Sequence, residues 1–148
     1  VIARDEIVRA ARTLNKTPFR MWGRRPGRAL DCIGVLTCTA DQVGIEYEAP
    51  SRYPAAPNGT LVGFLHKAGL IAIGLEEIRP GSVMIFAIEG ECSPDVRLPQ
   101  HCAILTTIEP RRMLHAYNGS GWPGVCEHTM GPEWDKRITH AFDFPGVE

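Results

Sequence analysis

The sequence predicts an α+β fold, with helices first and an antiparallel sheet after them. Three observations carry this. The first half shows helical spacing, with apolar residues at i, i+4 and i+7. From Arg79-Pro80-Gly81 onward, strand-length apolar or alternating runs are separated by Gly, Pro and charged turns. The two kinds of segment are segregated along the chain, which favours helices packed on one face of an antiparallel sheet.

The first element spans residues 3–14. Ile7, Ala11 and Leu14 form its apolar stripe, Asp5, Glu6, Arg9 and Arg12 lie elsewhere on the wheel, and Asn15 and Pro18 end it. Residues 17–30 hold Pro18, Gly23, Pro26 and Gly27, which predicts a loop. This loop carries Arg20, Arg24, Arg25 and Arg28, as either a solvated surface or a contact for carboxylates or a neighbouring protein. A second helix starts abruptly at Cys32: Asp31 is a good N-cap, Leu30 and Val35 occupy the staple positions, and Gly44 supplies the stop. Pro50, Pro54, Pro57, Asn58 and Gly59 mark a connection to a short helical stripe of Leu61, Phe64, Leu65 and Ala68, closed by Gly69. Strands are predicted at 83–88, 102–108, 113–117 and 138–142, with 89–99 as an extra loop walling a cleft before His101.

With 148 residues, a single domain over 1–148 is expected. Sixteen basic against 17 acidic residues leave a net charge of −1, without the basic excess that nucleic acid binding needs. No apolar stretch approaches the roughly 20 residues that span a bilayer, so membrane insertion is not expected. Arg4, Asp5, Glu6 and Arg9 interrupt the place where a signal peptide would be apolar. Five irregularly spaced cysteines read as reduced thiols. There is no internal repeat and no low-complexity tract.

The chemistry centres on Cys32. A thiol in the first turn of a helix meets unpaired N–H groups and the positive end of the helix dipole, which favour thiolate. Cys32 is therefore either a nucleophile or a small buried residue, as Cys38, Cys92, Cys102 and Cys126 are expected to be. His101 and His115 fall on neighbouring predicted strands. One can take the thiol proton while the other holds its ring, or both are structural histidines. Cys32, His101 and His115 are zinc ligands by type, but no C-x-x-C, H-x-x-x-H or fourth ligand accompanies them, so neither metal nor cofactor is expected. His66, His128 and His140 read as surface or packing residues, and Trp122 and Trp134 as turn packing.

The series Pro18-Phe19, Trp22-Gly23, Asp31-Cys32-Ile33-Gly34, Ile78-Arg79-Pro80-Gly81-Ser82-Val83, His101-Cys102-Ala103-Ile104 and Leu114-His115-Ala116 resembles the NlpC family of cell-wall cysteine peptidases, most of all its branch found in phage tails. The likeness runs from about residue 5 to the Phe142–Gly146 tail. It implies a papain-like α+β fold, with Cys32 as nucleophile, His101 as general base and His115 as the orienting residue. It implies the stem peptide of peptidoglycan as substrate, cut between D-glutamate and the diamino acid, with Asp31, Phe19 and Trp22 on the substrate side. Phe19 stands where many members have Tyr, Ile33 where Ser is common, and Ser82 where Asp is usual in the turn. The phage-like likeness also implies tail-tip or hub proteins as partners, synthesis in the bacterial cytoplasm and action at the wall from a virion tail. A structural tail-tip protein, or an amidase using the same triad, are the rival readings.

Overall fold

A computed structural model describes residues 1–50, 52–53, 59–90, 93–119, 121 and 124–148, with the backbone alone for 89–90 and 93–97. The expected turn at Pro54, Pro57 and Asn58, and the readings of Cys92 and Trp122, lie outside the described residues. The elements run α1 (Arg4–Arg12), β1 (Arg24–Arg25), β2 (Ala29–Leu30), α2 (Cys32–Val43), α3 (Leu61–Lys67), β3 (Ile71–Ile73), β4 (Val83–Gly90), β5 (Ser93–Ile108), β6 (Arg111–Tyr117), β7 (Gly124–Thr129), α4 (Pro132–Asp135) and β8 (Ile138–Asp143). A six-stranded sheet in the order β3-β8-β4-β5-β6-β7 is antiparallel throughout. No helix among the described residues is long and apolar enough to cross a membrane.

The predicted helices pack on one face of this sheet. Ile7, Ala11 and Leu14 from the first segment and Val35, Leu36 and Cys38 from α2 form one core with Val83, Ile85, Cys102, Ile104, Leu114 and Ala116 of the sheet. Helix α1 stops at Arg12, two residues early, yet Leu14 remains fully buried because the turn after it stays packed on the sheet. The opposite sheet face is covered as well. Met84, Phe86, Ala103, Leu105 and Met113 make a second core with Ile78 and Met130, and Trp134 of α4 packs against it. Period-two alternation carries both cores, since successive strand residues point to opposite faces.

Four local features depart from the expectations. The expected loop at 89–99 is a hairpin: Ala87 pairs with Pro99, Ile88 with Leu98 and Glu89 with Arg97. Its Pro99 is tolerated because the ladder slips register between Phe86 and Ala87, which leaves Gln100 as a bulged extra residue. The 17–30 loop contains the two-residue ladder β1–β2, too short to show as alternation. Strand β7 was not expected, because Cys126, Glu127 and His128 break the apolar pattern on an edge strand. Strand β3 pairs only three residues with β8.

The turn residue Ser82 serves as a structural hub. Asp143 accepts two hydrogen bonds from Arg4, at 3.1 and 2.6 Å, and one from Ser82 Oγ at 2.7 Å, which ties α1 to β8 and the 80–82 turn. Burial works against the Asp143 carboxylate, but the bonds from Arg4 and Ser82 outweigh it and hold its pKa below the ordinary value. The stabilisation is thus complete above the unfolded carboxyl value, about pH 4, and is lost as the pH falls through the lower folded value. Arg4→Met should lower unfolding free energy by about 2 kcal/mol at pH 7, the scale of a charge-assisted pair. In urea titrations the gap from wild type should narrow at pH 3, whereas an equal gap at both pH values contradicts the assignment.

Candidate active site

Helix α2 begins where a buried carboxylate dictates. Asp31, 2% exposed, accepts from Gly34 N at 2.8 Å, Arg24 Nη1 at 2.8 Å and Trp22 N at 2.9 Å, and from the Tyr53 hydroxyl. Arg24 Nη2 in turn donates to the Tyr53 oxygen at 2.8 Å. Burial and the bond to Asp31 push the Tyr53 hydroxyl well above its ordinary value, so it stays a donor. A carboxylate offers about four acceptor positions, and here Asp31's own neighbours fill them. The acceptor that a substrate amine would need at Asp31 is therefore already taken, and the cap is the role its geometry displays. Of the expected substrate-side residues, Phe19 is half-buried and bridges Leu30. Trp22 is 39% exposed, its indole donating to the Tyr53 carbonyl at 2.8 Å under the Arg52 guanidinium 4.5 Å above the ring. Ile33 points into the core instead of toward the surface.

The loop closes tightly on this cap. A Cβ on Gly34 would lie 2.3 Å from the Gly23 carbonyl oxygen, so the close approach of the loop to α2 requires glycine there. At the other end of α2, Gly44 takes φ +77° and makes the expected stop.

Cys32 thus occupies the first position of α2, half-buried, where the cysteine was expected. Its thiol is pushed down to about 5 by a hydrogen bond from the Cys102 thiol, against the pull of burial, with the hydrogen bond and charge of His101 adding to the lowering. Nearby Asp31 opposes this. Hydrogen bonding to Cys32 and burial push the Cys102 thiol far up, and burial raises Cys38 and Cys126. Among the described cysteines, Cys32 is the one poised as thiolate.

The structure brings Cys32, His101 and His115 together. His101 stands at the β5 bulge, and its Nε2 lies 2.6 Å from His115 Nδ1, which leaves Nδ1 for the Cys32 thiol. His115, fully buried, continues to a third histidine: its Nε2 lies 2.8 Å from His128 Nε2, and His128 Nδ1 lies 2.9 Å from the Thr129 carbonyl oxygen. Trp134 covers the row, its ring 5.2 Å from that of His115 and 5.9 Å from those of His101 and His128. Burial, with the neighbouring His101 and His128, pushes His115 down to about 2, so it is neutral. In the sequence alone His128 reads as a surface or packing residue, Cys102 as a buried thiol and Trp134 as turn packing. Only the β6–β7 ladder, with Met113 opposite His128, shows that His128 shares the face of His115.

Cys126 pairs with His115 across that ladder, and ligand atoms of His115, Cys126 and His128 lie within 4.8 Å of one another. The 2.8 Å between the two Nε2 atoms is shorter than the about 3.3 Å that two nitrogens keep on a tetrahedral zinc. This is hydrogen-bond spacing.

No family model and no curated protein matches the sequence, but solved structures match the fold. An NLP/P60 family protein similar to a lipoprotein, from Staphylococcus aureus, superposes with TM-score 0.63 at 19% identity over 95% of this chain and 41% of its own. The fold is that of the NlpC/P60 proteins. An NlpC/P60 family protein from Bacillus cereus gives TM-score 0.64 at 16% identity, covering 97% of this chain and 40% of its own. NlpC1 from Trichomonas vaginalis gives 0.63 at 12%, covering 95% and 44%. The chain spans less than half the length of each of these three.

Gly34→Ala should destabilise by about 1–3 kcal/mol, the scale of overpacking against backbone. Gly63→Ala, in α3 with nothing within 4 Å of the added Cβ, should instead stabilise by about 0.5–1 kcal/mol. Urea unfolding of both variants checks the contrast, and equal effects would contradict the close approach.

Proposed function

We propose that this chain is a cysteine hydrolase that cleaves a peptide amide of peptidoglycan, with Cys32 as nucleophile, His101 as acid and base, and His115 as the residue that orients it. The observation that carries this reading is the position of Cys32 at a helix start next to His101, the first ring of a histidine row whose Nε2 lies 2.6 Å from His115 Nδ1, with the thiol lowered by Cys102 and His101. The Cys32 thiol gives its proton to His101 Nδ1, the S–H bond breaking as the N–H bond forms. The thiolate attacks the amide carbonyl, and the negative charge that develops on its oxygen meets the Cys32 N–H, which no helical carbonyl engages at this position. His101 gives its proton to the leaving amine, and an acyl-enzyme remains. His101 then takes a proton from water, whose oxygen attacks the acyl carbon, and collapse returns the thiolate and releases the acid.

The stem peptide as substrate, and the bond between D-glutamate and the diamino acid, rest on the ordered motifs around Cys32, His101 and His115 together with the NlpC/P60 fold. The exposed Trp22 indole beside the capped cysteine offers a wall for that peptide. The same motifs support a place in a phage or phage-like tail tip, held by hub proteins and delivered to the wall.

The test is mass spectrometry of diaminopimelate-type peptidoglycan incubated with reduced wild-type protein and variants. Wild type should release new stem-peptide fragments and Cys32→Ala none, while Cys38→Ala, altered at a buried thiol, keeps activity. His115→Ala should lose about 100-fold in kcat/KM, the low end of the roughly 10²- to 10⁴-fold acid–base contribution of His101 that it supports. Full activity in Cys32→Ala overturns the reading. A folded wild type that releases nothing favours a structural role in a tail tip.

A further inference from the structure

We infer that His128 is a positioning residue, and that the Thr129 carbonyl acts through it to fix which nitrogen of each histidine in the row carries a proton. The inference rests on the reading of Cys32 as a nucleophile and extends it to a residue outside the triad.

Donor and acceptor capacity places each hydrogen in the row. A carbonyl oxygen only accepts, so the 2.9 Å contact at Thr129 requires hydrogen on His128 Nδ1. A neutral His128 then has its lone pair on Nε2, and the 2.8 Å contact requires hydrogen on His115 Nε2. His115 is neutral by burial, so its Nδ1 holds a lone pair and accepts from His101 Nε2–H across 2.6 Å. Each assignment forces the next. His101 Nδ1 is left as the single nitrogen that can receive the Cys32 proton. In that transfer the S–H bond breaks, an N–H bond forms on Nδ1, and His101 Nε2 keeps the hydrogen it already donates. The imidazolium then faces an acceptor without any ring having to turn, and its bond to His115 gains charge assistance.

Without His128 the direction of the row is not determined. The tautomer of a ring is set by the partner of its other nitrogen. A His115 released from His128 can carry its hydrogen on Nδ1 and aim it at His101 Nε2. His101 must then hold hydrogen on Nδ1, toward the sulfur, and taking the thiol proton would set two N–H groups against each other. Cys126, the titratable neighbour directly opposite His115, is a thiol that burial raises, and a thiol sulfur is a weaker acceptor than the His128 nitrogen.

Two variants separate this from simple packing. His128→Leu fills the space without an acceptor, and His128→Gln offers an amide oxygen that can accept from His115 Nε2–H. The readout is iodoacetamide alkylation of Cys32 against pH, followed by peptide mass spectrometry, which needs no wall substrate. His128→Leu should shift the alkylation midpoint up by roughly one pH unit, with a roughly tenfold slower rate on the acidic limb. His128→Gln should keep the wild-type profile. On peptidoglycan fragments, kcat should fall in the Leu variant and recover in the Gln variant while KM stays constant. Ring nitrogen NMR of the wild-type protein gives a second test independent of any variant, with hydrogen expected on Nε2 of His115 and on Nδ1 of His128. A wild-type alkylation profile in His128→Leu, equal defects in Leu and Gln, or the opposite tautomers by NMR would each overturn the inference while leaving Cys32 a nucleophile. A wild-type Cys32 that alkylates like an ordinary thiol would overturn both.

Discussion

The buried carboxylate of Asp31 is the constraint on which the site depends. An ionised carboxylate out of water is strongly unfavourable unless its acceptor positions are filled. Four donors from three parts of the chain meet that demand: Trp22 and Arg24 from the loop, Gly34 from the helix, and Tyr53 from the following connection. Their convergence sets the residue at which α2 starts, and with it the direction in which Cys32 projects. The Gly23–Gly34 approach belongs to the same construction, because the loop must lie on the helix for its N–H and guanidinium to reach Asp31.

From that fixed start, the electrostatics follow from what surrounds each group. The four described cysteines differ by their surroundings: a donor thiol and an imidazole lower Cys32, while burial raises Cys38 and Cys126 and the bond to Cys32 raises Cys102. Asp31 itself works against the thiolate, and its pairing with Arg24 neutralises part of that opposing charge. The histidine row is desolvated by Trp134 on the face of the sheet opposite the helices. That dryness keeps His115 neutral and therefore an acceptor for His101, which is the state in which His101 can hold a second proton. The site thus uses both cores: α2 from one face supplies the nucleophile, and the strands β5 to β7 carry the imidazoles along the other.

Much of this was legible in the sequence where a local rule acts. Asp31, Cys32 and Gly44 announce a helix through its caps, and the 83–88 and 113–117 runs announce strands through apolar content. His101 and His115 could be placed on neighbouring strands by the short turn between them. What could not be read depends on long-range pairing. His128 lies on an edge strand with mixed composition, and only the ladder that sets it opposite Met113 brings it beside His115. Tyr53 lies 22 positions beyond Asp31, past the end of α2 in a connection that carries no periodicity. Cys102 has the sequence environment of any core cysteine, and only the packing of β5 under α2 brings its thiol to donate to the Cys32 carbonyl oxygen at 3.3 Å, beside the Cys32 thiol.

The lowered Cys32 thiol makes Cys32 a thiolate at neutral pH. The most direct measurement is the thiolate absorbance near 240 nm of the folded wild-type protein against pH, with that of Cys32→Ser subtracted. A one-thiolate difference already complete at pH 7, with a midpoint near the lowered value of about 5, is expected. A difference that develops only above about pH 8, where an unperturbed cysteine ionises, would contradict it.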